Sequence, residues 1–236
     1  MQRIFFFLVF LYLPFAQVFS QTALEYDKSG CSKYELKDYT GALEDFNKAI
    51  KINPQFAEAY HNRGLAKVKL RDYNGAIQDF NKAIEIIPQL AEAYRNRGAA
   101  KEYLQDFNGA IQDYNKAIEI NPQFAKAYNN RGFAKIDLKD YKNAIHDFTK
   151  AIEINPQFAG AYNNRGEAKV QLQDYKSAIQ DFTNAIEINP QYADAYNDRA
   201  VAKHLLGDKD GACLDWSKAG QLGLMNAYDF IRAYCK

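Results

Sequence analysis

Prolines stand at Pro54, Pro88, Pro122, Pro156 and Pro190, each 34 residues after the one before. The text around them repeats as well: AEAYHNRGLAKVKLRDYNGAIQDFNKAIEIIPQL at 57–90 returns as AEAYRNRGAAKEYLQDFNGAIQDYNKAIEINPQF at 91–124. Further copies occupy 125–158 and 159–192, with looser ones at 23–56 and 193–226. A period of this length, held over nearly the whole chain, restricts the fold to one small unit made many times and stacked on itself. With 47% hydrophobic residues the chain can bury a core, and six prolines and thirteen glycines are too few for a low-complexity or collagen-like chain.

The residues of one unit predict a helix pair. A first helix runs from about Ala57 to Leu70, with Tyr60, Gly64 and Ala66 giving it an apolar or small face. Asp72 is placed to cap a second helix by accepting from early backbone N–H groups, and Asp38, Asp106, Asp140, Asp174 and Asp208 stand in the same place. The second helix carries Tyr73, Ala76, Ile77, Phe80, Ala83 and Ile84, a spacing of three and four that makes one apolar stripe. Asn-Pro then stops it, because the residue before a proline avoids the helical region and proline cannot continue the ladder. In the second unit Ile87 replaces that Asn, so the stop rests on Pro88. Gly64, Ala76 and Ala83 let the helices approach while Tyr60 and Phe80 fill the space between them. One pair cannot cover its own apolar face, so the units must stack.

On these residues the chain resembles the tetratricopeptide repeat (TPR) family, with six repeats at 23–56, 57–90, 91–124, 125–158, 159–192 and 193–226 forming a domain over 21–236. The resemblance implies an all-α, right-handed superhelical solenoid of stacked antiparallel helix pairs whose first helices line a concave groove. The sixth unit departs from the pattern, with Ala200 for the Gly, Lys209 for the Tyr, Gly220 for the Ile and Leu224 for the Pro. The segment 227–236 that follows sets Ala227, Phe230, Ile231 and Tyr234 on one face, a terminal helix that covers the last apolar surface.

Residues 1–20, MQRIFFFLVFLYLPFAQVFS, read as a secretory signal: Arg3 supplies the positive charge, Ile4 to Leu13 the apolar run, and Val18 and Ser20 the small-residue cleavage pattern before Gln21. Pro14 and Gln17 interrupt the run short of the ~20 apolar residues of a membrane span, and an uncleaved membrane anchor is the alternative. The expected address is the periplasm or outside the cell, with no membrane insertion after cleavage. Removing the leader takes Arg3 and no acid, which leaves 29 charges of each sign. Balanced charge without a basic stripe excludes a nucleic-acid binder that relies on phosphate neutralisation.

Nothing in the sequence points to catalysis, a metal or a cofactor. His61, His146 and His204 fall in different rows, and there is no HExxH, CxxC or Gly-rich phosphate loop. Arg63, Arg97, Arg131, Arg165 and Arg199 form one row, and Asp45, Asp79, Asp113, Asp147, Asp181 and Asp215 another. An arginine row could bind anions, but a matching acid for each makes a structural ion-pair network the preferred reading. The Lys67 row reads as solvated. Cys213 and Cys235 come level if the sixth unit's second helix and the terminal helix run antiparallel. They are then either a disulfide that staples the cap, worth roughly 3 kcal/mol in the chain-entropy model, or two separate thiols. Cys31 remains as a free thiol.

The groove side of the first helices is the candidate binding face. It carries Asn62, Asn96, Asn129, Asn130, Asn163, Asn164 and Asn197, whose amides can donate to and accept from the backbone of an extended peptide, or can bond neighbouring repeats to one another. Of the 34 aromatics (17 Tyr, 16 Phe and one Trp), the leader, the repeat rows and the terminal helix absorb all but Tyr34, Tyr103 and Phe133. These three fall on the groove side, as anchors for a partner or as packing against the second helices. Some relatives clamp a terminal carboxylate with Lys, Asn and Arg; here Lys69 and Arg95 are the only obvious groove cations, among several acids, so an acidic tail is a poor fit. The expected function is a non-catalytic scaffold for a protein or peptide. An assembly subunit using its convex face or ends is the alternative, and a cell-wall polysaccharide binder the weaker third.

Overall fold

Proline spacing and the apolar stripe meet in the computed structural model, which describes residues 21–235; the leader over 1–20 lies outside the described residues. Every regular element among the described residues is a helix. The chain divides into two compact units, at Ile120 and Asn121. The first holds the helical residues 21–35 (α1), then α2 (Tyr39–Ile52), α3 (Ala57–Lys69), α4 (Tyr73–Ile86), α5 (Ala91–Tyr103) and α6 (Phe107–Ile120). The second holds α7 (Ala125–Asp137), α8 (Tyr141–Ile154), α9 (Ala159–Gln171), α10 (Tyr175–Ile188), α11 (Ala193–Leu206), α12 (Lys209–Gln221) and α13 (Ala227–Tyr234). Within each unit the first helix of a repeat packs on its own second helix, and that second helix on the next repeat's first.

The large and small rows interlock as the repeat requires. Phe46, Phe80, Tyr114, Phe148, Phe182 and Trp216 are fully buried, each worth roughly 2–3 kcal/mol of removed apolar surface. The Phe80 ring lies directly against Gly64, where an added Cβ would stand 2.7 Å from Cε1. The glycine row is therefore set by ring volume and not by backbone freedom.

Between the two helices of a pair the chain reverses through one left-handed residue: Lys37, Arg71, Gln105, Lys139 and Gln173, with φ between 59° and 63°. The sixth repeat alone supplies a glycine there, Gly207. The next residue caps the second helix. Asp38, Asp72, Asp106 and Asp208 each accept from the N–H of a glycine three positions on, at 2.9 Å, and Asp174 from Ser177 N at 3.3 Å. Asp140 departs from the expectation. Its carboxylate takes the Asn143 side chain instead, and no backbone cap forms. A Cβ at the equivalent Gly41, Gly75, Gly109 and Gly211 would sit 2.1–2.2 Å from the carboxylate oxygen, and with the Ser177 Cβ there the cap persists but lengthens to 3.3 Å. At Asp140 the Asn143 amide competes as well and takes both oxygens.

At the other end Asn53, Asn121, Asn155 and Asn189 accept from the N–H two residues on at 3.0–3.2 Å and fasten the turn around proline. Ile87 has no acceptor to offer, yet it takes the same conformation, φ −126° against −127° at Asn53.

The departures of the sixth repeat serve α13. Gly220 makes room for Tyr228, whose Cζ would lie 2.8 Å from a Cβ there. Phe230 stacks on Trp216 at 5.3 Å, and Tyr234 lies 4.5 Å from the His204 ring. A disulfide joins Cys213 to Cys235 with a Cα separation of 5.8 Å. No helix of the described residues is long and apolar enough to cross a membrane.

Candidate functional site

The arginine row is consumed inside the scaffold. Arg63 donates through Nε and Nη2 to the two oxygens of buried Asp79 at 2.9 and 2.6 Å, and Arg97, Arg131, Arg165 and Arg199 repeat the fork on Asp113, Asp147, Asp181 and Asp215. Each guanidinium also faces the Tyr60-row ring of its own helix at 5.3–5.6 Å. The lysine row corrects the solvated reading. Lys67, Lys101, Lys135, Lys169 and Lys203 each close on the same aspartate at 2.7–2.8 Å, because a buried carboxylate has room for more donors than one fork supplies. In the first repeat, where Ser29 replaces Arg, burial pushes Asp45 up, but hydrogen bonds from Lys33, Ser29 and Lys48 outweigh it and hold the carboxyl at about 2.

The asparagine row is largely spent between repeats. Asn62 Nδ2 donates to Asp27 at 3.0 Å, Asn164 Nδ2 to Asn129 Oδ1 at 3.0 Å, and the Asn96 amide meets His61 Nε2 at 2.8 Å, each pair 35 residues apart. Burial raises Asp27 and lowers His61, which favours the neutral ring at the Asn96 bond. Asn96 and Asn163 are buried, and Asn130 is half-buried beside Asn129. As placed, these amides tie one repeat to the next, the second of the two roles weighed for them.

The three unassigned aromatics separate. Tyr34 is half-buried, packs on Ala42, Phe46 and Ala66, and meets Tyr39 edge-on at 5.3 Å. It lines a cavity of about 150 Å³ with Cys31, Asn62 and Leu65. Burial first, then the charges of Asp27 and Glu35, push the Cys31 thiol up to about 11, so it is protonated and unreactive at neutral pH. Tyr103 is 63% exposed and stacks on Tyr73 at 4.6 Å. In the second unit Phe133 is 45% exposed on α7.

Sequence reasoning missed one arrangement, in the second unit. Asn163 Nδ2 donates to Glu167 Oε1 at 2.7 Å and to Asp198 Oδ2 at 3.0 Å, bridging two carboxyl groups on α9 and α11. Burial and then the Asp198 charge push Glu167 up to about 7; burial likewise raises Asp198. The pair borders a cavity of about 260 Å³ walled by Val170, Gln171, Phe182 and Val201. A signal was present. Glu167 stands in a row otherwise of Cys31, Leu65, Ala99, Phe133 and Val201, and Asp198 in one of Lys28, Asn62, Asn96, Asn130 and Asn164. Among the described residues no group of three or more His, Cys, Asp or Glu is placed to hold a metal ion.

A TPR repeat model matches residues 30–70, 103–138 and 166–207, and a tetratricopeptide repeat model matches 57–90 and 125–158. No curated protein sequence matches the chain. Among solved structures, MamA is 27% identical over 74% of this chain and 95% of its own, with a TM-score of 0.63. PilF of Pseudomonas aeruginosa is 17% identical over 91% of this chain and 99% of its own, with a TM-score of 0.79. YrrB, titled a TPR protein with an unusual peptide-binding site, is 22% identical over 79% and 97%, with a TM-score of 0.62. At their identities the last two show a shared fold alone.

Proposed function

Because the chain belongs to the tetratricopeptide repeat family, a family of protein-interaction scaffolds, we propose that it is a non-catalytic scaffold that binds a peptide segment of a partner protein along the groove side of its first helices. One observation carries this reading. Phe133 and Tyr103 hold large aromatic surface open to solvent on first helices, while the Phe80-row rings that build the scaffold are all buried. Exposed rings of this kind are the usual energetic anchors of an interface, because they bring large rigid area at low entropic cost. The peptide-binding site named for YrrB is consistent with such use of the fold.

The same reading assigns the protein to the cell envelope or the exterior. The leader over residues 1–20 and a disulfide in the cap both suit an oxidising compartment.

The test is selection from a displayed random-peptide library, with the wild-type chain and with Phe133→Ala and Tyr103→Ala. Enrichment by the wild type that either variant loses, at unchanged helicity, supports the groove side. Equal enrichment by all three overturns it and favours the convex face or the ends. For the address, mass spectrometry of exported protein should find Gln21 at the N-terminus.

A further inference from the structure

We propose that the cavity beside Glu167 and Asp198 is a socket for an alkylammonium or guanidinium group, carried by a lysine or arginine of the bound peptide. The inference rests on the groove side of the first helices being the peptide-binding face. It starts from two acids at one cavity. Glu167 and Asp198 both border it, and their four oxygens accept from the amides of Asn163 and Asn197 and share a proton with each other. The Oδ1 atoms of Asn163 and Asn197 stay buried and without a donor, and Asn163 itself is only 1% exposed, so the surroundings of the pair are rich in acceptors. An ammonium carries three donors and no acceptor, and a guanidinium five, so either can take the place of the shared proton between the two carboxyls.

The walls fit the rest of such a side chain. Val170, Val201 and the edge of Phe182 offer apolar surface for an aliphatic stem, with the carboxyl groups alongside for the charged head. Until a cation arrives, burial and mutual repulsion keep a proton on the pair, with Glu167 raised to about 7. The two acids are also the departures from their rows, lying on adjacent first helices and brought together by stacking. Sibling repeats carry Leu65 and Asn62 at these places, so the scaffold does not require either acid.

That history supplies variants that keep the fold. Glu167→Leu with Asp198→Asn installs residues that the second repeat already uses. The first probe is n-butylammonium, titrated into the full chain while the carboxyl carbons of Glu167 and Asp198 are followed by NMR, with n-pentanol as the neutral control. Saturable shifts with butylammonium and none with pentanol are expected; no shift with butylammonium overturns the socket. The second probe is an array of uncharged peptides with one central Lys, Arg, norleucine or Glu. Lys and Arg peptides should be retained about tenfold or more better than norleucine peptides, a preference the double variant loses. Norleucine binding as well as Lys overturns the socket and leaves the peptide groove standing. Butylammonium binding with no peptide retained leaves the cation site standing and removes the groove.

Discussion

The side chain of Asn143 donates to both carboxylate oxygens of Asp140, at 3.1 and 2.8 Å, and displaces the backbone bond that caps α6 through Asp106 and Gly109. The two aspartates occupy the same place in consecutive repeats but do different work. Asp106→Ala should lower stability by about 1 kcal/mol, the usual worth of an N-cap, and Asp140→Ala by less than half of that. Urea midpoints of the two variants decide it.

Arg165 grips buried Asp181 through two nitrogens, at 3.0 and 2.7 Å, and Lys169 adds a third donor at 2.7 Å. Removing the arginine leaves the buried carboxylate with Lys169 alone. Arg165→Ala should cost roughly 3 kcal/mol, and Arg165→Met with Asp181→Leu and Lys169→Met distinctly less, because the triple change leaves no uncompensated ion. Denaturation of the single and triple variants gives the comparison.

Glu167 predicts a dependence on pH of definite sign. The groups facing it are Asp198 and Asp194 on α11 and the Asn163 amide. Below the ordinary glutamate value of 4.5 folded and unfolded chains both hold the proton, and stability is complete. As pH rises through about 7 the folded chain must ionise a carboxyl that burial and Asp198 oppose, and stability falls. Glu167→Gln should flatten this decline and be the more stable protein at pH 8, by roughly 1–3 kcal/mol. Chemical denaturation of both proteins from pH 4.5 to 8 measures the crossing.

The Cys213–Cys235 bond closes a loop of 22 residues over Trp216, the one tryptophan of the chain. Reduction should loosen α13, shift tryptophan emission to the red and cost roughly 3 kcal/mol in the second unit. Fluorescence with and without reductant, and in Cys213→Ser, reports it.

Gln105 holds φ at 62° in a turn where the sixth repeat has Gly207. A side chain in this region costs roughly 1–2 kcal/mol, so Gln105→Gly should raise stability by about 1 kcal/mol despite the freedom glycine gains when unfolded. A higher midpoint with unchanged helicity is the expected result.

Much of this architecture could be read from residue spacing. The period of Pro88 and its equivalents, with the Gly64 and Phe80 rows, specified the helix pairs and how closely they pack, because volume and periodicity act through near neighbours. What escaped involved longer reach. Whether Lys67 enters the interior depends on how a flexible side chain finds Asp79, and nothing in its row shows that. Asp140 loses its cap to the side-chain amide of Asn143 three residues away. The meeting of Glu167 and Asp198 joins two helices and two rows, and each acid looks like ordinary surface until the stacking is known. By elimination Tyr34 falls with Tyr103 and Phe133, and only packing separates a half-buried ring from open ones.

The amide bonds between repeats run over 35 residues where the repeat itself runs over 34. Within each unit that one-residue excess makes a junction a pairing of unlike columns: Asp27 with Asn62 and His61 with Asn96 in the first, Asn129 with Asn164 and Asn163 with Asp198 in the second. Near-identical modules therefore carry distinct male and female ends. If the sixth were spliced behind the first, Asp198 would meet Asp27, two acids with no amide between them. The sixth module is thereby marked at its seam as one that cannot stand in the second module's place.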